Sequence, residues 1–117
     1  MNYNLSLNDR PFKAIKTGVK RIEGRVPTSL DKTPYKDIKP HDTFTFKNRL
    51  TGETIMVDIL RVSHYPNARI MLEQEGVNDV LSSSNDIDQG VKNFNSFREY
   101  TENIIKYGIY AIEMSLK

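Results

Sequence analysis

Tyr3, Leu5 and Leu7 alternate with Asn4 and Ser6, the pattern of a half-buried strand. Asn8-Asp9 then offers a helix cap, Pro11 falls in the first turn, and Phe12 and Ile15 share one face of a helix that Gly18 is placed to end. Residues 20–26 read as the next strand, and 27–42, with three prolines, as a long loop with little regular structure. Thr43 to Lys47 alternates cleanly, and Thr51-Gly52-Glu53 turns it into a hairpin with a β-rich run from Thr54 to Ser63, closed by His64-Tyr65-Pro66. Asn67 caps a helix predicted over residues 68–75 and stopped by Gly76.

The segment after Gly76 is less regular. Ser82 to Asn85 marks a loop, Ile87, Val91 and Phe94 have helical spacing, and residues 98–106 are compatible with helix or irregular chain. Gly108 introduces an apolar closing strand from Ile109 to Leu116. About five or six strands with two or three short helical insertions predict an α+β chain, mainly β, folded as a small mixed β-barrel. At 117 residues, with no internal repeat or dividing linker, 1–117 is expected to be one domain.

Composition narrows the chemistry. With no cysteine, disulfides, thiolate metal sites and a cysteine nucleophile are excluded. Two histidines 23 positions apart make a poor metal site, so none is expected. No P-loop, dinucleotide fingerprint or serine-hydrolase elbow occurs, and no cofactor is expected. No apolar run approaches the ~20 residues of a membrane span and no signal pattern opens the chain, which makes the cytoplasm the expected location and a membrane partner unexpected. The net charge of +2 conceals an asymmetry: residues 1–49 carry 11 Lys or Arg against 5 acids, and residues 50–117 carry 6 against 10. Such a basic first half suits a polyanion, although a solvated surface needs no partner.

Polar chemistry is densest in T-G-V-K-R-I-E-G-R, from Thr17 to Arg25. A strict strand period puts Arg21, Glu23 and Arg25 on one face and Lys20 with Ile22 on the other. Lys20 then meets Glu23 only if the strand starts after it or bends near Gly24. In the alternative, Glu23 and Arg25 form a buried ion pair and Lys20 lies in solvent. Buried pairs are expensive to desolvate, which favours a role toward a ligand.

Gly18, Lys20, Glu23 and Arg25 together spell G-x-K-x-x-E-x-R, which resembles the signature of the ASCH family, small PUA-like β-barrels associated with RNA. The resemblance extends to the opening strand and helix, to His64-Tyr65 with Leu72, Glu75 and Gly76, and to the ending from Tyr107 to Glu113. It departs at His41, where a K-x-G-D turn normally carries glycine, so altered loop geometry is expected there. The resemblance implies a PUA-like barrel whose basic cleft binds RNA or a nucleotide-like ligand through Lys20, Arg21, Glu23, Arg25, His64 and Tyr65. Lys20 and Arg25 would meet phosphates, and Glu23 would accept from a base amine or orient Arg25. Tyr65 could stack on a base, and His64 could titrate or bond a phosphate.

The alternative reading is a metal-independent hydrolase of RNA or a modified nucleoside, with Lys20, His64 or Glu75 in acid–base roles. The family's 4-acetylcytidine amidohydrolases use a lysine, a threonine three residues later and a distant glutamate. Here Lys20 and Glu75 fit, but Glu23 occupies the threonine position. A carboxylate supplies no hydroxyl nucleophile and favours the ammonium form of Lys20, so this reaction is not expected. Phe94, Phe97, Tyr100, Tyr107 and Tyr110 read as core, with one or two of them reaching the cleft.

Overall fold

The computed structural model describes residues 1–82 and 85–117. Strands β1 (Asn2–Leu7), β2 (Ile22–Arg25), β3 (Thr43–Asn48), β4 (Thr54–Tyr65) and β5 (Ile109–Leu116) form one sheet in the order β1-β3-β4-β5-β2. Among the described residues, only the β1–β3 pairing is parallel. The sheet curls into a half-barrel, leaving β1 and β2 as unpaired edges on either side of a gap. The helices are α1 (Asp9–Lys16), α2 (Ala68–Glu75), α3 (Val77–Val80), α4 (Ile87–Ser96) and α5 (Tyr100–Tyr107). The predicted α+β class therefore holds as a five-stranded half-barrel with several helices.

Most predicted elements lie where local signals put them. Gly76 follows α2 at its predicted end, and Gly108 opens β5. Three boundaries shift. β2 is shorter than predicted and starts at Ile22, β4 runs on through Tyr65, and the ambiguous 98–106 segment is mostly α5. Within the predicted 27–42 loop, Tyr35–Asp37 forms one 3-10 turn. The predicted loop from Ser82 to Asn85 falls partly outside the described residues.

Two apolar clusters cover the faces of the sheet. One joins Phe12 and Ile15 of α1 to Phe44, Phe46, Val57, Ile59, Ile112 and Met114. The other packs α2, α4 and α5 against Ile22, Ile109 and Ala111. β5 serves both, because alternate residues of a strand face opposite ways and this strand is covered on each side.

A β-bulge lets β4 serve both faces differently along its length. Ile59 pairs with Met114 and Arg61 with Glu113, so Leu60 is left over. One extra residue reverses the alternation. Ile55, Val57 and Ile59 face the first cluster before it; Val62 packs there after it, and His64 meets the Tyr110 ring at 4.8 Å. Arg61, Ser63 and Tyr65 are thereby turned toward α2.

Two backbone positions show how the chain manages left-handed conformations. Gly108 has φ 75°, and a Cβ there would lie 2.4 Å from His64 Nε2 and 2.5 Å from the Tyr65 carbonyl oxygen. Only glycine satisfies both constraints. His41, by contrast, adopts φ 79° without being glycine. The turn has a glycine-like backbone, and His41 N–H donates to Ile59 O at 3.0 Å. Left-handed backbone costs a residue with a Cβ roughly 1–2 kcal/mol, partly offset by the extra unfolded-state entropy of glycine. His41→Gly should therefore raise the unfolding free energy by about 0.5–1 kcal/mol in chemical denaturation, whereas Gly108→Ala should lower it by at least ~2 kcal/mol. A stability loss in the first variant, or none in the second, would contradict this account.

Candidate functional site

Lys20 reaches Glu23 because it lies outside the strand. After α1 the chain folds back, with Thr17 N–H donating to Lys13 O at 3.0 Å and Lys20 N–H to Ala14 O at 3.0 Å. β2 begins two residues later, which frees Lys20 from strand alternation. Lys20 Nζ lies 2.9 Å from Glu23 Oε1, and Arg25 Nε donates to Glu23 Oε2 at 2.6 Å. The three side chains are only 9%, 5% and 15% exposed in that order. Each carboxylate oxygen thus holds one cation, and the charges neutralise one another where unpaired burial would be costly.

Burial alone would push the Glu23 carboxyl up, but the charges and hydrogen bonds of Lys20 and Arg25 outweigh it and hold the group at about 2. Burial alone would likewise lower the Arg25 value; the Glu23 carboxylate, with Tyr35 and Tyr100 nearby, raises it instead. Gly24, between the two, lets α4 approach: a Cβ there would lie 2.8 Å from Phe94 Cζ.

These residues floor a cleft of about 990 Å³ in the gap between the sheet edges. One wall is β1 with the start of α1, and the other is β2 with the loop from Thr28 to Thr33 and the α4–α5 junction. That loop is pinned at several points. Asp31 accepts from Tyr35 Oη and, at 3.2 Å, from Thr33 N–H, while Glu99 accepts from Ser29 Oγ and, at 3.0 Å, from Ser29 N–H. Asn103 Nδ2 donates to Pro27 O at 2.8 Å.

Among the described residues the lining carries six cations, Lys20, Arg25, Arg10, Lys32, Arg49 and Arg98. Against them stand three acids, Glu23, Asp31 and Glu99, a formal surplus of three positive charges. Arg10, Lys32, Arg49 and Arg98 are exposed, so the surplus lies at the mouth. Their only individual sequence signal was position in the basic first half or beside an aromatic.

Two solved structures share this architecture along the whole chain. The crystal structure of hypothetical protein PH0355 matches with a TM-score of 0.84 at 32% identity, covering 100% of both chains. The solution NMR structure of protein PF0455 from Pyrococcus furiosus matches with a TM-score of 0.76 at 30% identity, covering 99% of this chain and 97% of that one. This chain belongs to their family. Neither name states an activity. No protein-family profile matches the chain, and no curated protein matches it by sequence.

The remaining sequence candidates do not join the cleft. Arg21 precedes β2, its N–H donates to Asp79 O at 3.1 Å, and its guanidinium binds the Asp79 carboxylate at 3.1 and 3.2 Å on the exposed α3 side. The bulge at Leu60 sends Tyr65 toward α2, where its hydroxyl donates to Glu75. Arg61 grips the same carboxylate with two donors at 2.7 and 2.9 Å and reaches Glu113 at 3.1 Å. Those Arg61 hydrogen bonds hold the Glu75 carboxyl below its ordinary value, against the effect of burial and with help from Tyr65. Glu75 is therefore the acceptor of a structural clamp between β4 and α2, which accounts for a carboxylate at an unfavourable helix C-terminus.

His64 Nε2 lies 2.7 Å from Tyr107 O, at the turn into β5. Lys20, His64 and Glu75 consequently do not converge on one reacting position. Among the described residues, no group of three or more His, Asp or Glu is placed to hold a metal ion, and no helix is long and apolar enough to cross a membrane.

A depressed carboxyl value has a definite consequence for stability. Glu23 contributes fully above its ordinary value of 4.5, and that contribution disappears as pH falls from there to about 2. Denaturation of wild type and Glu23→Gln across acidic pH should show a stability gap that is widest near neutrality and narrows through that window. A gap unchanged down to about pH 3 would mean that Glu23 is not held ionised in the folded protein.

Proposed function

We propose that the protein binds single-stranded RNA, or a nucleotide-like segment of it, in the cleft between β1 and β2. The observation carrying this reading is a buried, ionised Glu23 held between Lys20 and Arg25 beneath a mouth with surplus positive charge. The resemblance of G-x-K-x-x-E-x-R to the ASCH signature supports the same reading, and with it a PUA-like description of the half-barrel. The exposed cations, rather than the buried Lys20 and Arg25, are the natural phosphate partners, because they are reachable and surrounded by water that a polyanion can displace. Glu23 retains acceptor capacity beyond its two cationic partners, and its second role is to accept a hydrogen bond from a base amine. Lys20 and Arg25 fix its position.

A hydrolase reading has no comparable support. Lys20 is engaged by Glu23, and His64 and Glu75 are bound elsewhere. The carboxylate at position 23 also leaves the cleft without the hydroxyl on which deacetylation of 4-acetylcytidine would depend.

Binding to a short single-stranded RNA should weaken as salt rises, each neutralised phosphate releasing ~0.7 counterion. Arg10→Ala should lower the affinity and make the log–log salt slope shallower by about 0.7, while Arg21→Ala, on the α3 side, should leave the slope unchanged. Folded protein that binds RNA with no salt dependence, or a slope sensitive to Arg21 and indifferent to Arg10, would contradict the proposal.

A further inference from the structure

One aromatic side chain in the cleft is not used by the core. Phe97 is 51% exposed, although Phe94 and Tyr100 on either side of it are buried. Its ring meets Phe94 at 6.3 Å and 73°, and Tyr100 at 5.2 Å and 66°. Two buried rings at steep angles fix its orientation, while half its surface stays exposed and it lines the cleft. The arrangement is also registered to the cleft floor, since Phe94 packs over Gly24 between Glu23 and Arg25.

The surroundings of Phe97 select the chemistry of an occupant. Arg98 follows it in the chain. Glu99 adopts a left-handed φ of 67° and ties Ser29 to this junction, bringing the loop of Leu30 and Lys32 to the same rim. Leu30 is 76% exposed and also lines the cleft. A non-glycine residue held at positive φ beside an exposed aromatic is strain retained at a surface position, a condition typical of binding sites. The rim therefore offers apolar surface to a flat group and cations to the charges beside it. A purely apolar partner would leave Lys32 unmatched and Arg98 with only a 3.9 Å contact to Glu99, and a bare polyanion would leave the aromatic surface in water. An unpaired base within a phosphodiester chain matches both.

We infer that Phe97 is the stacking platform for an unpaired base of single-stranded RNA, with Arg98 and Lys32 facing the adjoining phosphates. This rests on the reading of the cleft as an RNA site and adds to it a position for a base, apart from the one accepted by Glu23. Stacking of this kind tolerates any base, so the site discriminates base from no base rather than one sequence from another.

The test compares oligoadenylate with an abasic ribose–phosphate oligomer of the same length. Wild-type protein should prefer the oligoadenylate by roughly 5- to 150-fold, the range that one stacked base supplies. Phe97→Leu, which keeps an apolar side chain at a half-exposed position but removes the ring, should lose most of that preference with abasic affinity unchanged. Phe97→Tyr should retain it. Quenching of 2-aminopurine placed in the RNA should follow the same order. A folded Phe97→Leu protein with the wild-type preference overturns the Phe97 assignment and leaves the RNA cleft standing; a wild type that binds both oligomers equally overturns it together with the Glu23 base contact, leaving only phosphate binding in the cleft. If wild type binds neither oligomer, the RNA reading fails and the stacking site falls with it.

Discussion

The cleft depends on one buried carboxylate. Glu23 is removed from water with a cation on each oxygen, and neither Lys20 nor Arg25 could be buried so deeply without it. Loss of one partner would leave uncompensated charge in a low-dielectric site, a far larger penalty than the net worth of an intact pair. The triad also reaches outward. Arg25 Nη1 lies 3.5 Å from Asp31, and Asp31 organises the start of the long loop through Thr33 and Tyr35. The cleft wall is thus tied to the same charges as its floor.

The second constraint is the bulge at Leu60, which gives the molecule two separate polar systems. It directs Arg61 and Tyr65 to Glu75, joining β4 to α2, while the Glu23 triad remains at the sheet edge. The two look alike in composition and differ in what surrounds them, since the clamp is itself the more exposed of the two, with Arg61 at 41%. Every donor of Arg61 seen in the clamp is spent on Glu75, Glu113 or Ser63. The cleft, by comparison, has exposed cations, and Arg10 and Lys32 make no ion pair among the described residues. That difference assigns the clamp to holding the fold and the cleft to meeting a ligand.

Much of the fold was legible because its signals are local. Asn67 accepts from Ile70 N–H at 2.9 Å and so caps α2, Gly76 ends it, and Gly108 opens β5. The meeting of Glu23 with Arg25 followed from strand alternation, but Lys20 joined them through a fold-back after α1 that no alternation contains. The bulge was illegible, since one added residue leaves no mark in composition, and with it went the placement of Tyr65 and Glu75. Residues 98–106 were ambiguous because Glu99 is left-handed where glycine would have advertised a turn. Phe97 read as core since exposure is a tertiary property, and helical spacing cannot distinguish a ring at the rim from one beneath it.

The most direct measurement of the central claim is mapping of RNA contacts on the labelled protein by amide and side-chain NMR shifts. Titration with a short single-stranded RNA should perturb the cleft walls at residues 4–10, 20, 23–33 and 93–100, including the Glu23 carboxyl and the Phe97 ring. The Arg61, Tyr65 and Glu75 clamp should stay unchanged. Perturbations centred on the clamp, or none at RNA concentrations that saturate other single-strand binders, would contradict it.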